Sequence, residues 1–232
     1  MVRRLVCLLI AWCQIGIAAG PMTHLYLGEK YCEALEIGED AGDFLRGTLY
    51  PDIRYVAHFP RDLTHPPITD IKRIQKAPTP FQAGIEFHAW VDLVREEFVV
   101  SSGIYQAITS YAEGHEATFL KLLEEEVLAE LYDGRKWSFL FDQCHAAEKT
   151  LATESEIEKW HTMLQYSMSY RPSWLIWGVS YFKDQLFGIS NDTLYRWSYL
   201  LVELAREPLF RSHVLSLLAF IESKLPQDKI EE

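Results

Sequence analysis

Apolar positions along most of this chain recur at intervals of three and four residues, and alternation at every second position is scarce. Such intervals place apolar side chains on one face of an α-helix. The pattern therefore predicts an all-α fold, a single-domain multi-helix bundle. The predicted helices cover residues 22–37, 41–49, 80–111 with a break at 101–103, 116–131, 136–151, 153–170, 173–187 and 192–225 with a break at Pro208.

Two helix starts carry recognisable capping signals. Thr79 precedes Pro80 and stands three residues before Gln82, and Thr153 stands three residues before Glu156. A Thr followed three residues later by Glu or Gln forms a capping box, and proline suits the first helical turn. Both positions are therefore expected to begin helices.

Between Pro51 and Thr79 the chain holds five prolines, at positions 51, 60, 66, 67 and 78. This density predicts a long loop, with one short helix at 69–75. Long loops inside compact helical domains are uncommon and are often functional. The loop is therefore a candidate for part of a functional site.

The first residues, MVRRLVCLLIAWCQIGIAAG, have two arginines, an apolar run and then small residues. This order is typical of a secretory signal peptide, here residues 1–19 with cleavage after Ala19. The mature domain would span residues 20–232 and be secreted or periplasmic. The alternatives are an uncleaved anchor, or a true start at Met22 and a cytoplasmic protein.

The composition suits one globular domain or at most two small ones, with 49% hydrophobic residues in 232. The formal net charge of -11 disfavours a stable nucleic-acid partner and strong attraction to an anionic membrane, because phosphates would be repelled over most of the surface. Outside the leader the chain has only Cys32 and Cys144. These either pair in an oxidising compartment or remain two small buried thiols.

The helix beginning at Pro80 carries His88 and Asp92 four residues apart, hence on one face. Neutral imidazole and carboxylate are ligands that zinc favours, and Asp52 and His65 in the long loop supply one more of each. A metal would also compensate the cost of burying two carboxylates. The simpler reading of His88 and Asp92 alone is a hydrogen-bonded pair or a solvated helix face.

Several motifs together resemble the zinc-dependent phospholipase C family and the related single-strand-specific zinc nucleases. They are THLYLG near the start, GTLYPDIRY, the loop RDLTH, and F-x-x-G-x-x-x-H-x-x-x-D, all between Pro21 and Val99. The resemblance implies a helical phospholipase C-like fold with Asp52, His65, His88 and Asp92 around one zinc ion. His58 is an alternative to His65 as the loop ligand, but no threonine precedes it as Thr64 precedes His65 in the RDLTH motif.

The same resemblance implies that Asp92 bridges to a second zinc ion. His24 matches that ion's histidine ligand, and the amine and carbonyl of Gly20 would complete it if the leader is cut after Ala19. The family commonly adds a third zinc, but Phe98 occupies one expected histidine position and His115 has no acid one turn later. His145 and Glu148, three residues apart, are the remaining candidates for that site, the alternative being an exposed helical pair.

The expected function is zinc-dependent phosphodiester hydrolysis of phospholipid head groups, with Asp52 as ligand and base. Arg54 and Arg61 either add charge near the phosphate or are solvated surface residues. The segments WLIWGVSYF and LYRWSYLL either line a cleft for acyl chains, choline or bases, or form helical core, and transient contact with a membrane surface fits the first case. The alternatives are a non-catalytic zinc-binding helical protein, or a nuclease acting on single strands.

Overall fold

The computed structural model describes residues 19–181 and 188–226, and these form an all-helical fold with no β-strand in that part of the chain. The α-helices are α1 (Pro21–Ala34), α2 (Ala41–Leu49), α3 (Arg54–Ala57), α4 (Pro80–Ser102), α5 (Ile104–Ala112), α6 (Glu116–Leu128), α7 (Glu154–Ser169), α8 (Pro172–Ser180), α9 (Asn191–Leu204) and α10 (Pro208–Glu222). The all-α prediction is confirmed. The proposed signal peptide lies outside the described residues except for Ala19.

The predicted breaks and caps occur where the sequence placed them. Gly103 separates α4 from α5 with a φ of 69°, a conformation that glycine adopts without steric cost. The Thr79 hydroxyl accepts the backbone N–H of Gln82, and Thr153 forms a complete capping box with Glu156. Pro208 begins α10, so the last predicted helix is indeed two helices.

The predicted helix at 136–151 is wrong. The segment instead contains two 3₁₀ elements, Gly134–Phe141 and Glu148–Thr150, joined by a turn. The backbone N–H of His145 donates to the Glu148 carboxylate. In an α-helix the same N–H would donate to the carbonyl four residues earlier, so this side-chain hydrogen bond replaces a helical one. α1 also ends three residues earlier than predicted, before Glu36, whose φ is 50°.

The proline-rich segment is a loop with short helical pieces. Besides α3 it contains the 3₁₀ elements Pro51–Ile53, Arg61–Leu63 and Ile71–Lys76, the last of which overlaps the predicted helix at 69–75. Asp70 caps that last element by accepting the backbone N–H of Lys72. The loop thus places Asp52 and His65 on either side of α3.

Helices α2 and α4 touch through their backbones at two glycines. A Cβ atom on Gly84 would lie 2.1 Å from the carbonyl oxygen of Phe44, and one on Gly47 would lie 2.0 Å from that of Phe81. Only glycine permits such a close approach. The contact brings the end of α2 against the turn of α4 that carries His88.

Helix α6 lies inside the molecule although it contains three consecutive glutamates, all at most 1% exposed. Glu124 forms a two-bond ion pair with Arg95 of α4. Glu125 accepts the backbone N–H groups of Met22 and Thr23 at the start of α1, and Glu126 accepts from Ser173 at the start of α8. Because each carboxylate has hydrogen-bond donors, α6 can be buried and can hold three other helices in place.

None of the helices in the described ranges is sufficiently long and apolar to cross a bilayer. Cys32 and Cys144 are free thiols, of which Cys32 is buried and Cys144 is partly exposed. The disulfide alternative is therefore not formed in this structure.

Candidate metal centre

Four separate parts of the chain bring five potential ligands together. His24 comes from the first turn of α1, Asp52 from the 3₁₀ element before α3, His65 from the loop, and His88 and Asp92 from α4. All five are at most 9% exposed. Two groups of ligand atoms, each within 4.8 Å of one another, are formed: His24, His88 and Asp92, and Asp52, His65 and His88.

Asp92 belongs to the first of these groups and also approaches His65 of the second, while His88 belongs to both. Its Oδ1 is 3.2 Å from Nε2 of His24, whereas its Oδ2 is 3.7 Å from Nε2 of His65 and 3.7 Å from Nε2 of His88. Asp52 Oδ1 is 3.9 Å from Nε2 of His65. One carboxylate thus presents one oxygen to each side, as a bridging ligand would.

A backbone carbonyl fixes the proton on one of the two facing imidazoles. His88 Nδ1 lies 2.8 Å from the carbonyl oxygen of Thr48, which only accepts, so Nδ1 carries the proton. The Nε2 atom of His88 therefore presents a lone pair, and it faces Nε2 of His65 at 3.1 Å. The Thr64 hydroxyl lies 2.9 Å from Nδ1 of His65 and holds that ring in place.

The separations of these ligand atoms are compatible with a divalent cation. Two ligands of one tetrahedral zinc, each about 2.0–2.1 Å from the ion, lie roughly 3.3 Å apart, close to the observed separations. Among the described residues, His24 Nδ1 and Asp52 Oδ1 are buried without a hydrogen-bond partner, and His24 Nε2 has only its 3.2 Å contact with Asp92 Oδ1. The Nδ1–H of His88 held by a backbone carbonyl is the usual outer support of a metal-binding histidine.

Protonation in the cluster also suits metal binding, which requires neutral imidazole and ionised carboxylate. Burial lowers the pKa of His65 to about 4 and that of His88 to about 3. Burial alone would raise the pKa of Asp92, but His88, His24 and Arg61 together hold it well below its usual range. The pKa of Asp52 is also lowered, because His88 and then Lys121 outweigh burial.

Two arginines from the loop contact the carboxylates. Arg61 donates from Nη2 to Asp92 Oδ2 at 2.8 Å while its side chain remains 42% exposed. Arg54 Nε is 3.8 Å from Asp52 Oδ1. Both arginines therefore place positive charge at the cluster, which favours the first of the two sequence-based interpretations over simple solvated surface residues.

The start of the described chain lies at the cluster. The backbone N–H of Ala19 donates to Asp92 Oδ1 at 2.9 Å, and the carbonyl of Gly20 accepts the backbone N–H of His24. The Glu125 carboxyl group occupies the position that a Cβ of Gly20 would need, at 2.2 Å. A chain that began at Gly20 would therefore have its amine near both Asp92 and Glu125.

His145 and Glu148 do not form a third site with their side chains. The Glu148 carboxylate is 2.7 Å from Nε2 of His161, and His145 Nε2 is 3.6 Å from Asp43. Neither belongs to a group of three ligands found among the described residues. The helical spacing used to pair them does not exist, because the segment is a turn followed by a 3₁₀ element.

The other histidines considered at the sequence level lie elsewhere. His58 is exposed and ends α3 with a φ of 57°, and His115 precedes α6 and packs on Trp197. Phe98 lies against the rings of His213 and Phe220, an apolar environment. The structure thus brings His65, rather than His58, to Asp52 and His88.

Sequence reasoning missed three contributors: the Thr48 carbonyl, the Glu125 carboxylate and the Lys121 side chain. A backbone carbonyl has no sequence signal, although Gly47 and Gly84 hint at a close helix contact. The run Glu124–Glu126 within an otherwise apolar helix could have suggested buried carboxylates with partners, because unpaired buried charge is costly.

The aromatic segments divide between core and surface. Trp197 is fully buried, whereas five rings form an exposed aromatic surface along α8 and α9. Its members are Trp174, Trp177, Tyr181, Tyr195 and Tyr199, which are 42–64% exposed. Ring contacts of 5.0 to 6.5 Å link Trp177 to Tyr181, Tyr181 to Tyr195, and Tyr195 to Tyr199.

Comparisons of this chain with protein-family models, with curated proteins and with solved structures found no match.

Proposed function

We propose that this protein is a zinc-dependent phosphodiester hydrolase that acts on phospholipid head groups. The observation that carries the proposal is a buried cluster in which Asp92 presents one oxygen to His24 and the other to His65 and His88, while Asp52 approaches His65 from the loop. Asp52, His65, His88 and Asp92 would hold one ion, and His24 and the other oxygen of Asp92 a second. Bound zinc would act as a Lewis acid, lowering the pKa of a water molecule and neutralising charge on the phosphoryl oxygens.

The chain's own groups would then position the diester and move protons. Asp52 Oδ1, which lacks a hydrogen-bond donor, is available to accept a proton from an attacking water. Arg61 reaches the cluster from a partly exposed position, so its guanidinium is suited to meet an incoming phosphate with two parallel hydrogen bonds. His88 is held in one orientation by Thr48 and keeps Nε2 aimed at the centre.

The acidic chain and its exposed aromatic surface favour a phospholipid over a nucleic acid. A net charge of -11 opposes long polyanions. Trp and Tyr rings prefer the interface of a bilayer, where an apolar ring and a polar edge are both accommodated. We therefore propose that the exposed aromatic surface makes transient contact with the membrane that holds the substrate.

The first test is metal content and turnover of the purified protein. The expected result is two bound zinc ions and chelator-sensitive hydrolysis of p-nitrophenyl phosphocholine. Asp92→Asn should remove both ions and lower the rate by about a hundredfold or more, because it is shared by both sites. Asp62→Asn, a change of the same type at an exposed loop position, is the control and should alter neither.

The outcomes separate the alternatives. Absence of bound metal would refute the proposal, and zinc without turnover would favour a non-catalytic metal protein. Faster cleavage of single-stranded DNA than of the phosphocholine ester would favour the nuclease reading.

The membrane contact has its own test. Replacing Trp177 and Tyr199 by alanine should slow hydrolysis of phosphatidylcholine vesicles without affecting the soluble ester. Phe139→Ala, at a ring that is 59% exposed outside this surface, is the control. Equal loss on both substrates would refute a role in membrane contact.

A further inference from the structure

A cavity of about 570 Å³ lies beside α7, where the chain turns between the 3₁₀ elements Gly134–Phe141 and Glu148–Thr150. From this segment, Phe141 and Cys144 line it. Helix α7 lines it with one face, along which residues follow at intervals of four, three and four. These residues are Glu154, Glu158, His161 and Gln165. A helix face that lies under another segment is normally apolar, so a polar face here favours a polar ligand in the cavity.

Three potential metal ligands meet in this cavity, a thiol and two carboxylates. The ligand atoms of Cys144, Glu154 and Glu158 all lie within 4.8 Å of one another. The Cys144 thiol is held against α7, because Sγ donates to the backbone carbonyl oxygen of Glu154 at 3.9 Å. Zinc binds carboxylate oxygen at about 2.0–2.2 Å and thiolate sulfur at about 2.3 Å, so ligand atoms of one ion lie roughly 3–4 Å apart. Small rotations of these side chains would therefore bring all three to one ion.

The imidazole of His161 is an independent sign of a ligand in the cavity. The residue lines the cavity although it is only 3% exposed. Its Nε2 lies 2.7 Å from Oε1 of the buried Glu148, and within the described chain its Nδ1 makes no hydrogen bond or ion pair. An ionised carboxylate only accepts, so in the neutral ring Nε2 carries the proton and Nδ1 presents a lone pair. A buried acceptor of this kind is costly without a donor, and a polar ligand in the cavity would supply one.

We propose that Cys144, Glu154 and Glu158 bind one zinc ion. A water molecule in the fourth position would donate a hydrogen bond to Nδ1 of His161. This inference goes beyond the proposed function, because the site shares no residue with the candidate metal centre. A thiolate beside carboxylates suits zinc, which is borderline-soft, better than magnesium or calcium, which take oxygen ligands. On binding, the S–H bond of Cys144 breaks, an S–Zn bond forms and the proton goes to solvent. The ion would fasten the turn after Phe141 to α7.

The ion is expected to bind less tightly here than at the buried centre. Glu154 and Glu158 are exposed, and Cys144 is partly exposed. Lys149 competes for the same charge, since its Nζ lies 3.0 Å from Glu154 Oε1. The Lys149 side chain is 45% exposed and can move into solvent, and the carboxylate has a second oxygen. The site should therefore fill when metal is added, whereas the centre should retain its ions through purification.

Cobalt(II) in place of zinc reports this site separately from the centre. A thiolate bound to cobalt gives a charge-transfer absorption in the near ultraviolet, and none of the ligand atoms proposed for the centre is sulfur. The titration is made under reducing conditions with the unaltered protein and with Asp92→Asn, in which the centre should not bind metal. Both should show the absorption, and zinc should remove it. The result needs neither substrate nor centre, so failure of the hydrolase proposal would leave it unchanged.

Two pairs of variants assign the ligands. Cys144→Ala should abolish the absorption, whereas Cys32→Ala should keep it, because burial raises the pKa of the Cys32 thiol to about 12. Glu158→Gln should weaken cobalt binding by about tenfold or more, since even the loss of a group that supports a ligand has that effect. Glu39→Gln makes the same change in charge at an exposed position and should leave cobalt affinity within about twofold of the unaltered protein. Thermal unfolding without metal checks that all four variants are folded.

Absence of the absorption from both the unaltered protein and Asp92→Asn would overturn the proposal, as would its persistence in Cys144→Ala. Equal cobalt affinities of Glu158→Gln and Glu39→Gln would remove the carboxylates from the site and likewise reject it. Zinc should also raise the Tm of Asp92→Asn but not that of the double variant Asp92→Asn/Cys144→Ala. Equal shifts in these two proteins would contradict fastening of the turn by this ion.

Discussion

Replacement of Gly84 by alanine tests whether the α2–α4 contact positions His88, a ligand of the proposed zinc site. The new Cβ would lie 2.1 Å from the carbonyl oxygen of Phe44, whereas real Cβ atoms essentially never lie closer than 3.0 Å to such a neighbour. The helices must therefore separate by at least 0.9 Å, the difference between the two distances. The obstructing atoms are backbone, so no side chain can rotate away to relieve the overlap.

The separation has a stability cost that can be bounded. Overpacking of this kind costs about 1–3 kcal/mol, and the better helix propensity of alanine offsets up to about 1 kcal/mol of it. The same movement would lengthen the 2.8 Å contact between Thr48 oxygen and His88 Nδ1 to about 3.7 Å, which ends that hydrogen bond and loses about 1 kcal/mol. The net loss is about 1–3 kcal/mol, which lowers Tm by roughly 3–10 °C.

The larger effect should be on metal affinity. Without Thr48, the His88 ring loses the group that fixes its orientation, and such changes typically weaken a metal site by about 10- to 100-fold. The assay is competition for zinc with a chromophoric chelator, alongside thermal unfolding of the metal-free protein.

Gly178→Ala is the matched control, because a Cβ at that helical position meets nothing within 4 Å. It should raise stability by about 0.5–1 kcal/mol and leave zinc affinity unchanged. If Gly84→Ala behaved like Gly178→Ala in both assays, the close contact would not be what positions His88.

Three further changes test the electrostatics of the fold and the centre. Glu124→Gln should lower the free energy of unfolding by about 3 kcal/mol, measured in urea, because it leaves the buried Arg95 with only the weaker contact to Glu96 at 3.6 Å; a change below about 0.5 kcal/mol would contradict the buried pair. Burial, aided by Arg95, lowers the pKa of His213 from 6.5 to about 4, so the unfolded chain binds a proton in that pH range that the folded chain does not. Stability should thus fall as the pH is lowered from about 6.5 to about 4, by less than the roughly 1.4 kcal/mol per pH unit of a fully buried group because the ring is partly exposed, and His213→Phe should flatten the curve relative to the unaltered protein. Arg61→Gln should increase zinc affinity severalfold in the chelator assay, since it removes a cation that competes for Asp92, and unchanged or weaker binding would argue against that competition.

Local sequence signals determined most of the helical architecture. The spacing of apolar residues, the Thr caps at 79 and 153, Gly103 and Pro208 correctly located helices and their ends, because these effects act within one or two turns. The prediction failed at 136–151, where a side chain three residues away replaces the helical hydrogen bond. No local pattern distinguishes that carboxylate from one facing solvent.

The candidate ligands were likewise recognisable from residue type and motif, but their arrangement was not. His88 and Asp92 share a helix face by periodicity alone, whereas the positions of His24, Asp52 and His65 depend on contacts between segments distant in sequence. Two glycines set the distance between α2 and α4, and Glu125 attaches the start of α1 to α6. Such contacts reflect packing in three dimensions, which one-dimensional spacing does not encode.

The roles of buried and exposed groups were decided only by the tertiary structure. Glu125 looks like any glutamate of an amphipathic helix until burial removes its solvent and the start of α1 supplies its hydrogen-bond donors, and Trp177 looks like core until its neighbours leave it exposed. Burial changes the free energy of a charged side chain far more than that of an apolar ring. The same residue type therefore has different chemical properties in buried and in exposed positions. The sequence by itself therefore specified most helices and the types of candidate ligand. The packing of α1, α2, α4 and α6 brought those ligands together in one buried cluster.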